Sequence, residues 1–172
     1  MKKNVFALVF VLAAAVTVFA QQMDDVRQFP SCKHCGMDRE KFGHSRLLIA
    51  YDDGSTTGTC SLRCAAVDLS VNIDRTPKSI MVGDFGTKKL IDAEKASWVV
   101  GGGKPGVMSK RAKWAFEKKE DAEKFIKENN GTLTSFEDAV KLAYEDMYQD
   151  TKMIREKRRM NRMDKMEHQH PM

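Results

Sequence analysis

The sequence predicts an α+β fold: two similar strand-strand-helix halves followed by a long C-terminal helix or tail. Three observations carry this. Residues 45–51 and 56–60 are short strand-like runs separated by the turn Asp52-Asp53-Gly54-Ser55. A helical stretch over 62–69 follows at once, with Ser61 placed to cap it. Strands and then a helix return between 80 and 129, and a longer helical period begins after Ser135.

In chain order, Lys2 and Lys3 precede an apolar run from 5 to 20, broken by Thr17 and ending Val18-Phe19-Ala20 before Gln21. A basic start, a short apolar stretch and a small residue at the cut describe a secretory leader over 1–20, and so an exported protein. The run is at the short edge for an uncleaved membrane anchor. Residues 21–31, with Phe29-Pro30, read as an irregular lead-in to a domain over 32–148. Within that domain 80–85 and 97–100 have strand character on either side of a polar stretch at 86–95. Residues 101–106 form a glycine loop, and 112–116 is another strand. Residues 120–129 make an amphipathic helix with Ala122, Phe125 and Ile126 on one face, stopped by Asn130-Gly131. A short strand at 132–134 leads to Ser135, which caps a long helix. Asp138 stands at the capping-box position, and Phe136, Val140, Ala143 and Met147 follow at helical spacing. Residues 149–172 are a basic Met/His-rich tail, either a solvated helical extension or unfolded.

The formal net charge of +5 is unevenly held. Residues 152–172 carry seven Lys/Arg against three Asp/Glu, whereas 21–151 carry twenty against twenty-one. An exported protein with a near-neutral body lacks the basic surface that nucleic-acid binding requires. There is no H-E-x-x-H, P-loop or nucleophile elbow, so no enzyme is expected.

The chemistry-bearing residues are sulfurs. All four cysteines fall in two pairs, Cys32-Lys33-His34-Cys35 and Cys60-Ser61-Leu62-Arg63-Cys64, in a C-x2-C, 24-residue, C-x3-C pattern. The intervening hairpin brings the pairs together. Cys64, near a helix N-terminus, gains from the helix dipole, which favours thiolate. Paired thiolates suit a thiophilic metal, zinc or Cu(I). In an oxidising compartment the same residues also read as two disulfides, with three pairings open, inside a protein-interaction module. A thiol–disulfide oxidoreductase is a third reading. Its context is wrong, because a thioredoxin-type pair opens a long helix after a strand, and Pro30 and Gly36 flank this one.

Two methionines bear on the metal. Met37 follows Cys35-Gly36, and Met108 follows Gly106-Val107 after the glycine loop. A thioether is a good Cu(I) ligand and a poor zinc ligand, while core packing is the ordinary use of either residue. His34, between the first two cysteines, is a further candidate ligand. The tail adds Met153, Met160, Met163, Met166, His168, His170 and Met172. Such a segment either binds copper or forms a basic amphipathic helix that docks on a partner or a membrane surface.

These residues resemble a known family. Cys32-x-x-Cys35-Gly36-Met37, the Tyr51-Asp52-Asp53-Gly54 hairpin, Met108, Ala115-Phe116 and Asp121-Ala122-x-x-Phe125 with Asn130-Gly131 occur in the order of the NosL family, over roughly residues 31–144. Those proteins are copper-binding accessory factors for nitrous oxide reductase in the bacterial cell envelope. The resemblance implies Cu(I) held through sulfur by Cys35, Met37 and Met108, with Cys32, Cys60 and Cys64 as alternative or second-site ligands. It also implies transfer to a copper-acceptor protein or a copper-delivery membrane complex. The chain departs from the family in lacking a lipobox, in its Met/His tail, and in Cys60-x3-Cys64, which resembles the end of a TRASH-type metal-binding motif.

Overall fold

The computed structural model describes residues 24–169. The first unit contains helix α1 (Asp24–Gln28), strands β1 (Leu47–Tyr51) and β2 (Thr56–Thr59), helix α2 (Leu62–Val71), and strands β3 (Pro77–Gly83) and β4 (Leu90–Asp92). The second contains β5 (Ser97–Val100), β6 (Lys113–Phe116), α3 (Lys119–Asn129) and β7 (Thr132–Thr134), followed by α4 (Phe136–Gln169). The sheets have the orders β2-β1-β3-β4 and β6-β5-β7, with every pairing antiparallel. The expected two similar halves are therefore two ββαβ units, each with its first strand between the other two, and β4 extends the edge of the first sheet.

The structure moves three boundaries. The lead-in contains α1, whose five residues are too few to show a helical period. Strand β4 lies inside the stretch read as polar, since only Leu90 and Ile91 mark it, and pairing with β3 supplies the rest. Strand β3 pairs with β1, Leu47 opposite Val82, and so closes the first half instead of opening the second. A strand's own pattern does not name its partner. The expected caps fare unevenly. Ser135 Oγ accepts the Asp138 N–H at 3.1 Å, whereas Ser61 occupies the N-cap position of α2 without a side-chain cap bond. Residues 149–169 continue α4 as helix. The leader expected over 1–20 lies outside the described residues.

Alternation along β5 and β6 divides the apolar interior in two. Trp98, Val100 and Ala115 face Leu47, Ile49, Tyr51, Ile80, Val82 and the α2 residues Leu62, Ala65 and Ala66. Val99, Trp114 and Phe116 face Ala122 and Phe125 of α3, and three of the cysteines. Each large side chain so buried contributes about 1.5–3 kcal/mol. The Phe85 N–H donates to the Ala115 carbonyl at 2.8 Å and stitches the two sheets together.

A buried ionic clamp fixes the N-terminal strands. Asp25 accepts two bonds from Arg46, both at 2.9 Å, and one from Arg39 at 2.7 Å. Arg39 also donates to the carbonyls of Phe29 (2.7 Å), Leu47 (3.0 Å) and Thr59 (3.1 Å). Both guanidiniums are fully buried. Burial alone pushes the Asp25 carboxyl up, but the hydrogen bonds and charges of Arg46 and Arg39 outweigh it and hold it below the usual range.

Candidate metal centre

The first cysteine pair sits in a tight knuckle before β1. Ser31 bridges to Asp38, the Cys32 N–H donates to the Met37 carbonyl at 2.8 Å, and the Gly36 N–H donates to the Cys32 carbonyl at 2.9 Å. Closing that turn places Gly36 at φ 74°, a region that favours glycine. The Lys33 N–H bonds the Gly58 carbonyl at 3.2 Å and so docks the knuckle on β2. Gly58 is needed for a different reason: a Cβ there would lie 2.7 Å from Phe29 Cβ and 2.8 Å from Arg39 Cζ. Cys60 leaves the end of β2, and Cys64 lies in the first turn of α2. Both cysteines thus lie at the N-terminal end of that helix, which has no side-chain cap.

The four Sγ atoms lie within 4.8 Å of one another. Cys35 and Cys60 are 3.4 Å apart, Cys60 and Cys64 3.8 Å. Four sulfurs bonded tetrahedrally to one metal at about 2.3 Å stand about 3.8 Å from each other, so the donor set fits a single ion. All four are free thiols; Cys32, Cys60 and Cys64 are buried, and Cys35 is partly exposed. Hydrogen bonds from Cys35, Cys60 and Cys64 push the Cys32 thiol down. At Cys35 the contact with Cys32 raises and those with Cys60 and Cys64 lower, leaving it at about 7. The contacts with Cys32 and Cys35, together with burial, push Cys60 and Cys64 up, so the thiolate expected at Cys64 from the helix dipole is outweighed. The cluster thus yields its first protons from the knuckle pair and holds the other two.

Behind the knuckle lies Asp68, fully buried on α2 one turn beyond Cys64. His34 Nε2 is 2.7 Å and Lys33 Nζ 3.4 Å from its Oδ1, and Tyr51 donates to its Oδ2 at 2.6 Å. Burial raises this carboxyl, but Tyr51, His34 and Lys33 hold it below its ordinary value. Both residues between Cys32 and Cys35 are therefore held by one carboxylate. His34, a candidate ligand from its place in the sequence, is turned to Asp68 instead. His44 stacks at 5.4 Å from Trp114 and 5.8 Å from Phe85.

Met37 and Met108 are both partly buried against the cluster that contains Cys32, Cys60 and Cys64. Met108 has φ 57°, a left-handed conformation that costs a non-glycine residue roughly 1–2 kcal/mol. Its loop is tied to α4: the Lys110 N–H donates to Asp150 at 2.9 Å, and Arg111 and Lys113 pair with Asp146. Arg63, beside Cys64, bonds Thr151 at 2.8 Å. One stretch of α4 thereby fastens both the Met108 loop and the start of α2.

The second cysteine pair joins the first in one sulfur cluster, and Met37 and Met108 pack against the apolar cluster that holds Cys32, Cys60 and Cys64. Sequence reasoning missed Asp68 and the α4 anchors. The regular four-residue steps from Cys60 to Cys64 to Asp68 were the available signal for the former.

The NosL family model matches residues 23–143. Among solved structures, that of the copper chaperone NosL from Shewanella denitrificans superposes with a TM-score of 0.51 at 24% sequence identity, covering 62% of this chain and 87% of that one. The likeness supports the fold. A comparison with curated proteins gives no match.

Proposed function

The chain belongs to the NosL family, and from that premise we propose that it is a periplasmic Cu(I)-binding chaperone that delivers copper to an envelope copper enzyme, by family nitrous oxide reductase. The observation that carries this reading is a donor set made of sulfur alone, four thiols with two thioethers packed against the same cluster. Thiolates suit Cu(I) and zinc alike, and the thioethers favour Cu(I). No helix among the described residues is long and apolar enough to cross a membrane.

Copper is the cargo here. Cys32 and Cys35 lose protons most readily and meet the ion first. Cys35, the partly exposed thiol, is where an acceptor's sulfur enters. Each exchange forms one copper–sulfur bond and breaks one, with no change in oxidation state, and the released thiolate takes up a proton. Asp68 holds Lys33 and His34 and keeps the knuckle in register while its ligands change.

A structural zinc site is the second reading, favoured by sulfur spacings near those of a tetrahedral tetrathiolate. A Cu(I) competition titration with a chromogenic chelator separates them. For the chaperone, Met37→Leu and Met108→Leu weaken Cu(I) binding while the fold survives. If their curves coincide with wild type and each cysteine is equally needed for folding, zinc takes its place.

A further inference from the structure

Past Asp150 the exposed part of α4 carries methionine in an unusual setting. Residues 155–172 contain no Leu, Ile, Val, Phe, Tyr or Trp, and apart from Pro171 their apolar residues are Met160, Met163, Met166 and Met172. A helix that docks by apolarity uses leucine, isoleucine or aromatic residues for most of its contact area. Here thioether has been kept and hydrocarbon excluded. Met160, Met163 and Met166 are 47%, 50% and 59% exposed, so none of them serves the core.

Their spacing gives this a geometry. Residues three apart on a helix are neighbours, about 5–6 Å between Cβ atoms, within reach of flexible thioether arms. At about 100° per residue the three fall in an arc of about 120°; the cations Arg158 and Lys165 project to the other side, and Arg162 flanks the arc one turn before Met166. Arg159 lies within the methionine arc, and there it is paired with Glu156 at 2.7 Å. The arc therefore offers three neutral soft donors, with Arg158 and Lys165 turned away, Arg159 neutralised by Glu156, and Arg162 as the cation at its edge.

We propose that Met160, Met163 and Met166 form a second, weaker site for a soft monovalent cation, Cu(I) in the cell, on the exposed end of α4. It is distinct from the cysteine cluster. Met160 lies nine residues beyond Thr151, where α4 is fastened beside Cys64, and so about 13 Å further along the helix axis. Thioethers carry no proton, so this site neither releases protons nor weakens in mild acid as thiolate ligation does.

The test is a titration of the full-length protein, labelled with 13C at the methionine methyl groups, with Ag(I) as a redox-stable stand-in for Cu(I). The expected result is a first equivalent at the cysteines and a second that moves the methyl signals of Met160, Met163 and Met166 together. The triple variant Met160→Leu/Met163→Leu/Met166→Leu is expected to lose the second equivalent, keep the first, and keep its helix content, since leucine is as good a helix former. Retention of the second equivalent in that variant overturns the proposal, as does a second equivalent that leaves the three methyl groups unmoved. Movement of the three methyl groups in a protein that takes up no metal at its cysteines supports this site and counts against the cysteine reading alone.

Discussion

The two ββαβ units share a strand order and differ in chemistry. In the first, the residue before the N-cap of the helix and the third residue within it are Cys60 and Cys64; in the second, the corresponding positions are Glu117 and Asp121, both exposed. Nor has the second unit a knuckle of cysteines before its first strand. Its contribution is a wall, Val99, Trp114, Phe116 and Phe125, and the loop that carries Met108. The comparison teaches that the topology does not make a metal centre. One copy of the motif has soft donors at its helix start and knuckle, and the other copy shields them.

Breaking the first unit's frame has the largest expected effect. Asp25→Asn leaves two buried guanidiniums without a counter-charge and should cost about 3–5 kcal/mol in a denaturant titration. Because the folded-state pKa of Asp25 is lowered, its stabilisation is present above its unfolded pKa near 3.8 and lost as pH falls through the folded value. Acid unfolding of the wild type should show this loss, and the variant should lack it. Next, Cys60→Ser removes a central sulfur. Groups that merely orient ligands are worth about 10–100-fold in metal affinity, so a ligand itself should be worth more than about 100-fold by chelator competition.

Asp68→Asn should fall within that outer range, about 10–100-fold, because Lys33 and His34 lose the charge that holds them. Full affinity in this variant would detach the knuckle from α2. Wild-type Cu(I) affinity should also decline as pH falls, and more steeply below about 7, where Cys35 joins Cys60 and Cys64 in holding a proton that competes with metal. The smallest effect sharpens the contrast between the units: Glu117→Gln with Asp121→Asn should leave affinity unchanged, and any loss would make the second helix start part of the site.

Much of this was legible in the chain. The Asp52-Asp53-Gly54-Ser55 turn and the flanking apolar runs mark the hairpin that carries Cys60 back to the knuckle, and cysteine spacing marks the donor set. Less was legible where the cause is long-range. Leu90-Ile91 is too short to declare a strand without its partner. Asp25 looks like any acidic surface residue until Arg39 and Arg46 close on it. The placement of the Met108 loop depends on Asp146 and Asp150, far along the chain, which no local pattern connects to that loop.

Arg39 has one further consequence. Its guanidinium joins the carbonyl of Thr59, beside Cys60, to the chain just after the knuckle, through oxygen acceptors alone. The two sulfur-bearing segments thus have a fastening that owes nothing to their sulfurs. On this ground loading and folding are expected to be uncoupled, unlike zinc fingers, in which metal affinity is folding free energy. A chaperone built this way would stay folded after giving up its metal, so amide hydrogen exchange in the hairpin should be nearly as slow without metal as with it.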